Sequence, residues 1–536
     1  MRYLELIMNQ PLIWGLFIAY LLLTSWLAYL GHKKTGDIKS FALGKGNMNP
    51  LVVGITLAAS IASVATFVLN PGFVYVHGFS ALLHLGGAAG FGLITGLFVM
   101  SFRFQSIGQK TKALTLPQWI GTRYDSQAMT IFFAAVNLLS LTFVVAIVGG
   151  LSIVMQLTLG LSNMESILLI IGFVFSYIFI GGTYAHAYTN TLQGIVMTVI
   201  AAIIVFSGLP LLFDSAAPLT TQLAAINPDL IAPINPSSNL FGSFFSIYVA
   251  GFAIGFALVC QPHIMIKALY VESKKEIWQY LGVYLFVSLF FTGLLLVGLY
   301  AHLSDIPTEL FLDPTTGAIR QDQVLTIYVT ETFSPVLIAI ISVALLAAGM
   351  STLDGILIAL SSIAANDLFL NLTRNNFLKD FEEEHQFRIA HKAGQIILIL
   401  MGVLTFALAI NPPALLSIFG QVGVYAIVSA SCAPILFGVL VPGISSRAIF
   451  TAALVGLGTH IGLYLWGSWA TGQGISLNEV VASRPVFALF FDTEMIQLGF
   501  ANPGVTATYG LIASFLIAIP AAIYSLRSKA QPANEQ

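Results

Sequence analysis

The chain has 536 residues, 57% of them hydrophobic and 8% charged, with a formal net charge of −2 and a mean hydropathy of +0.90. Soluble domains carry about 25% charged residues, so this composition excludes a soluble enzyme and indicates an all-α polytopic membrane protein. Two cysteines imply no disulfide framework, and there is no nucleic-acid patch, zinc-ligand spacing or phosphate-cradling glycine loop.

A helix needs about 20 apolar residues to cross a bilayer. By that measure about thirteen spans are predicted: 11–31, 51–76, 81–102, 128–158, 164–182, 190–213, 241–266, 279–303, 336–365, 393–411, 413–441, 448–467 and 505–526. The first is too long and too weakly flanked for a cleaved signal peptide. With Met1 outside and strict alternation, 18 of the 21 cations fall in inside loops, leaving only Arg2, Arg320 and Arg484 outside. The bias predicts an outside N-terminus and a cytoplasmic C-terminus in a bacterial-type inner membrane. The loops near 214–240 and 468–500 are the longest outside segments. Inside, 367–392 carries Glu382, Glu383 and Glu384 among basic residues, a solvated face. Cys260 and Cys432 read as buried thiols on different helices.

Span two carries Ala58-Ala59-Ser60-Ile61-Ala62-Ser63-Val64-Ala65-Thr66-Phe67 and then Asn70-Pro71-Gly72. Span seven carries Gly251-Phe252-Ala253-Ile254-Gly255-Phe256 and then Gln261-Pro262-His263. Proline removes a backbone donor and glycine weakens a helix, so both spans are expected to be interrupted. Broken backbone in lipid is tolerated only where it lines protein or a cavity. The breaks lie five spans apart, as inverted repeats over spans 2–6 and 7–11 require. The chain then divides into 1–50 (first helix and inside loop), 51–240 (first repeat), 241–441 (second, inverted repeat) and 442–536 (two final helices). In span three, Gly86-x-x-x-Gly90 and Gly92-x-x-x-Gly96 read as close helix packing. Span nine holds Asp354, the only carboxylate read inside a long apolar segment, within Ala347-Ala348-Gly349-Met350-Ser351-Thr352-Leu353-Asp354-Gly355. An acid there costs roughly 2.5–3.5 kcal/mol on insertion scales, which points to a polar cavity at membrane depth.

These stretches resemble the sodium/solute symporter family, which includes sodium-coupled proline, pantothenate and sugar carriers. The likeness rests on Phe41-Ala42-Leu43-Gly44-Lys45-Gly46, on 59–72, on Gln261-Pro262-His263-Ile264 with Lys267, and on 347–354. Gly181-Gly182-Thr183 through Thr189-Asn190-Thr191-Leu192-Gln193 adds to it. The resemblance implies a LeuT-like core and a sodium site where the break in span two faces span nine. Carried over by position, its ligands are the carbonyls of Ala59, Ala62 and Ala348 and the hydroxyls of Ser351 and Thr352. Sodium prefers oxygen, and unwound backbone supplies carbonyls. Adjacent side chains diverge by about 100° on a helix, so Ser351 and Thr352 meet one ion only over the helix edge.

Departures from the family narrow what it implies. Relatives commonly place aspartate where this chain has Asn190, which favours a single coupling ion. Thr66 and Leu85 stand where sugar carriers have polar residues, and Ile61 where proline carriers have an acid. The expected activity is sodium-coupled import of a small amino acid, carboxylate or vitamin-like solute by alternating access, with Asp354 and Asn190 in coupling. Ser63, Thr66, Asn70, Tyr75, His84, Phe256, Gln261, Gln421 and Tyr425 are the candidate solute contacts, Phe256 as an inner aromatic gate. His186 reads as structural, and His263 and Lys267 as inner-end residues, with snorkelling the plain explanation. The expected partners are sodium, the solute and the bilayer, with no organic cofactor and no nucleic acid, and a monomer suffices. A proton-coupled carrier is the alternative, and a non-transporting sensor is disfavoured because no soluble output domain follows the last span.

Overall fold

The computed structural model describes residues 10–33, 47–213, 217–373, 377–379, 381–411, 416–474 and 500–530, with backbone alone at 179–182, 383–384, 387 and 529–530. The Phe41–Gly46 motif, Met1, most of 468–500, and Arg2, Lys34, Lys39, Lys45, Arg374 and Arg484 lie outside the described residues. So do the side chains of Gly181, Gly182, Glu383, Glu384 and Lys529. Among the described residues, ten apolar helices are long enough to cross a membrane, from Pro11–His32 to Pro503–Ser528. Two broken pairs, Pro50–Ile61 with Ala65–His77 and Phe245–Leu258 with Pro262–Tyr270, each complete one further span. Asn163–Ile178 is a shorter apolar helix, and the backbone continues helically to Phe213, so the separately predicted spans 164–182 and 190–213 lie on one unbroken helix, Asn163–Phe213. The protein is an integral membrane protein.

Span two breaks within the expected Ala58–Gly72 stretch, between Ile61 and Ala65, and the chain passes Pro71 by widening into a π-helical turn, Ala65–Leu69. There Asn70 N–H bonds back to Ala65 O, five residues earlier. Span nine runs from Pro335 to Thr373, well past Ala365, with Ile363–Leu370 again π-helical. It therefore carries a second fully buried carboxylate, Asp367, so Asp354 is not alone. Span three extends to Thr111 beyond its apolar stretch.

The chain forms two compact units. The first comprises residues 1–78, 141–231 and 262–420; the second comprises 79–140, 232–261 and 421–536. In the second, a Cβ at Gly92 would run into the Phe252 carbonyl, and one at Gly96 would lie 2.6 Å from the Phe256 carbonyl. That pair packs as expected, whereas Gly90 faces only Leu85 O, at 3.9 Å from such a Cβ. The last carbonyls of span eleven are taken by arginines: Arg123 donates to Gly438 O at 2.8 Å and Val441 O at 3.0 Å, and Arg103 to Val439 O at 3.2 Å. Cations belong at that helix end. Cys260 and Cys432 are both free and buried.

In the first unit the connection between spans eight and nine lies on the second half of span two, so close that Gly72 has no room for a Cβ against the Gln321 carbonyl. Asp322 Oδ2 accepts Leu416 N–H at 3.4 Å, while its Oδ1 is buried with no hydrogen-bond partner. Burial pushes this carboxyl up to about 6. A raised folded-state value stabilises the fold fully below the unfolded value, about pH 4, and that contribution disappears as pH rises through about 6. Asp322→Asn keeps an acceptor and removes the titration. Its melting temperature is expected to exceed that of the parent at pH 7.5, by the equivalent of about 3 kcal/mol, and to approach it at pH 4. Parallel curves across that range would remove Asp322 as the cause.

Candidate functional site

Span two starts cleanly: the Asn49 side chain accepts Leu51 N–H, and Pro50 occupies the first turn. It stops after Ile61. Ala62 adopts φ −79° and ψ 80°, and Ser63 N–H bonds back to Ile61 O at 3.0 Å in a three-residue turn. Ser63 then restarts the helix. Its hydroxyl accepts Ala65 N–H and its carbonyl accepts Phe67 N–H, both at 3.1 Å. The two halves meet at 54°.

Ending a helix releases the carbonyls of its last turn, which must find other donors. Span nine supplies them. Ser351 Oγ lies 2.9 Å from Ala59 O and 2.8 Å from Ala348 O, and Thr352 Oγ1 donates to Ser60 O at 3.2 Å. A serine hydroxyl carries one proton and donates to one carbonyl at a time. Three oxygens therefore crowd one point with a single proton between them, a set that suits a hard cation. Ala59, Ala62, Ala348, Ser351 and Thr352 are all buried. The two hydroxyls diverge as a helix demands and reach consecutive carbonyls. Ser60, outside the sequence-based set, thus belongs to the same junction.

Behind this junction lies a polar layer. Asn190 Nδ2 donates to Ser60 Oγ at 3.0 Å and lies 3.4 Å from Ser351 O, while Asn190 Oδ1 is buried without a partner. An amide can donate to a carbonyl and an aspartate cannot, so the departure at position 190 ties span six to the oxygen cluster. Asp354 is completely buried, and protein groups surround it: the Tyr177 hydroxyl donates to Oδ1, Thr189 Oγ1 lies 3.4 Å from Oδ2, and His186 Nδ1 lies 4.0 Å from Oδ2. His186 Nε2 in turn meets Asn190 Nδ2 at 3.2 Å and Lys267 Nζ at 3.4 Å.

Lys267 therefore does not snorkel. It is 1% exposed, and His263 is also buried, because the short helix after the second break turns these side chains into the first unit instead of along its surface. Gly355 leaves room for both histidines: a Cβ there would lie 3.5 Å from His186 and 3.6 Å from His263. Tyr177, Thr189 and Lys267 were invisible as a group in sequence. The one available signal was the need of a buried acid for partners.

The candidate solute contacts divide between the units. In the first, Ser63 is spent on restarting span two, Thr66 and Asn70 are half-buried on its second half, and the Tyr75 ring stacks on His302 at 4.0 Å and on Phe311 at 4.9 Å. In the second, His84 Nδ1 is held 2.8 Å from Ser246 O, and Gln261 Nε2 donates to Leu258 O at 3.2 Å, closing the helix before Pro262. Phe256 stacks on Phe252 at 6.3 Å, and Gln421 and Tyr425 are half-buried on span eleven.

Known transporters resemble the chain over most of its length. The sodium/pantothenate symporter of Haemophilus influenzae is 25% identical over 455 residues, 84% of this chain and 89% of that protein. The high-affinity proline transporter of Bacillus subtilis is 25% identical over 420 residues, 73% of this chain and 84% of that one. Among solved structures, a substrate-bound, outward-open Na+-coupled sialic acid symporter superposes with a TM-score of 0.70 over 95% of this chain and 97% of that one. At 15% identity this shows a common fold, the LeuT-like one. The sequence model of the sodium:solute symporter family matches residues 41–456, most of the chain. The chain belongs to the sodium:solute symporter family.

Proposed function

We propose that this protein imports a small carboxylate-bearing solute together with one sodium ion, which the carbonyls of Ala59, Ala62 and Ala348 and the hydroxyls of Ser351 and Thr352 take up. As a family member it is a sodium-coupled solute symporter; the ligand assignment rests on one observation. Ser351 Oγ lies within 2.9 Å of two carbonyls from two different spans, one of them released by the break. Pantothenate and proline, the solutes named for the relatives, both carry a carboxylate, and an amphipathic solute suits a site with few fixed charges. Sodium entering from outside fixes the broken helix, and Ser63, Thr66, Asn70, Tyr75, His84, Phe256, Gln261, Gln421 and Tyr425 are the candidate solute contacts. Asp354 and Asn190 couple ion and solute binding. The chain sits in a bacterial-type inner membrane as a functional monomer with its N-terminus outside.

The test is uptake of labelled proline and pantothenate into proteoliposomes. An imposed sodium gradient with a potential of −100 mV is expected to sustain accumulation, the potential alone contributing about fiftyfold for zwitterionic proline and nothing for anionic pantothenate, whose charge cancels that of one sodium ion. A proton gradient without sodium is expected to sustain none. Equal accumulation on the proton gradient would replace sodium by a proton as the coupling ion, with the Lys267–His186–Asp354 array as its natural path.

A further inference from the structure

A groove of about 910 Å³ runs along the first unit between the inner half of span two, span six and span eight. Leu51 and Ile55, Ile195 and Val199, and Trp278 and Phe286 line its three walls. These are apolar side chains facing outward: Leu51 is 57% exposed, Trp278 60% and Phe286 62%. Beneath them the helices are in contact. A Cβ at Gly54 would lie 2.6 Å from the Tyr280 carbonyl, and one at Gly194 would lie 2.6 Å from Ile55. Gly282, also in the groove lining, differs: a Cβ there meets nothing within 4 Å. The groove is thus an open trough over a packed floor.

We propose that this trough binds an anionic phospholipid, an acyl chain lying along it and the headgroup at Lys274 and Lys275. On span eight, Lys274 or Lys275 leads to Trp278, Gln279, Gly282 and Phe286 at spacings of three and four, so the two exposed cations continue the lining face at one end. From Lys275 to Phe286 the helix rises about 16 Å, roughly the depth of one leaflet of a hydrocarbon core about 30 Å thick. Trp278 at the charged end is placed as interfacial tryptophans are. The nearest acid on this helix, Glu276, is turned about 200° away from Trp278, and its carboxylate accepts Glu272 N–H and Ser273 N–H at 2.8 and 2.9 Å. Charge complementarity therefore selects an anionic headgroup over a zwitterionic one. One wall of the trough is the helix half that ends at Ala59–Ile61, so the bound chain braces the carbonyls facing Ser351 and Thr352. Only that last consequence rests on the sodium reading.

The test counts retained lipid on the purified full-length protein by native mass spectrometry, with phosphatidylglycerol or phosphatidylcholine added. The parent is expected to retain one phosphatidylglycerol at lipid levels about tenfold below those needed for phosphatidylcholine, and Lys274→Gln with Lys275→Gln to erase that difference. Gly282→Phe fills the trough and is expected to lose the retained lipid, with its melting temperature in detergent moving by less than about 2 °C. Ile195→Trp, on the opposite wall, reads out the same loss if Gly282→Phe fails to fold. Unchanged phosphatidylglycerol retention in the groove-filling variants, or equal binding of both lipids by the parent, overturns the proposal. None of these readouts requires transport.

Discussion

Replacing Ser351 and Thr352 together by alanine is expected to abolish the sodium-specific stabilisation of the purified protein. A ligand that binds only the folded state at 100 times its dissociation constant adds about 2.7 kcal/mol. The parent should therefore melt at a higher temperature in sodium chloride than in potassium chloride of equal ionic strength, and the double variant at the same temperature in both. The variant also leaves Ala59 O and Ser60 O without donors, a loss of about 1–3 kcal/mol each that lowers stability in either salt. The difference between salts, not the baseline, carries the test. Ser351→Ala alone should remove most of it, because Oγ of Ser351 meets two carbonyls while Thr352 Oγ1 reaches only Ser60 O at 3.2 Å. A double variant that still distinguishes sodium from potassium places the ion elsewhere.

The second large effect concerns the buried Lys267–His186–Asp354 array. Leaving a buried polar or charged group without its partner costs about 1–3 kcal/mol, more where the group is charged. Lys267→Met and Asp354→Asn are each expected to reach that range in thermal unfolding. Their combination is expected to cost less than the sum by about 0.5–3 kcal/mol, because both approach one imidazole, Lys267 Nζ at 3.4 Å from His186 Nε2 and Asp354 Oδ2 at 4.0 Å from Nδ1. Additivity within about 0.5 kcal/mol would show that they do not share a network.

Much of this molecule was legible from residue order alone. Among the described residues, hydropathy located the ten long apolar helices and the two broken ones, because a bilayer core demands long apolar helices and little else satisfies the backbone there. Small residues around Ala59 and the Gln261-Pro262 pair marked the two interrupted spans, and the Ser351-Thr352 pair marked the facing helix. The interruption of span two was legible only as a stretch, Ala58 to Gly72; the backbone breaks between Ile61 and Ala65, and a π-helical turn at Ala65–Leu69 absorbs Pro71. The end of span nine was misplaced: Asn366 and Asp367 look like a boundary, yet Asn366 Nδ2 donates to Asp367 Oδ1 at 2.7 Å inside the helix.

What the sequence by itself determined was the membrane class, the span order and the identity of the broken helices, all of which follow from local hydrophobicity and backbone chemistry. Tertiary structure alone decided the partners of the polar side chains. Lys267 looks like a surface anchor in one dimension and is 1% exposed in three, since the bend before it points the following turn inward. Tyr177 and Thr189 reach the same carboxylate from separate parts of the chain, and no periodicity records such a meeting. Hydrophobicity sums along a helix, whereas a hydrogen bond depends on where two distant helices bring single atoms within about 3 Å.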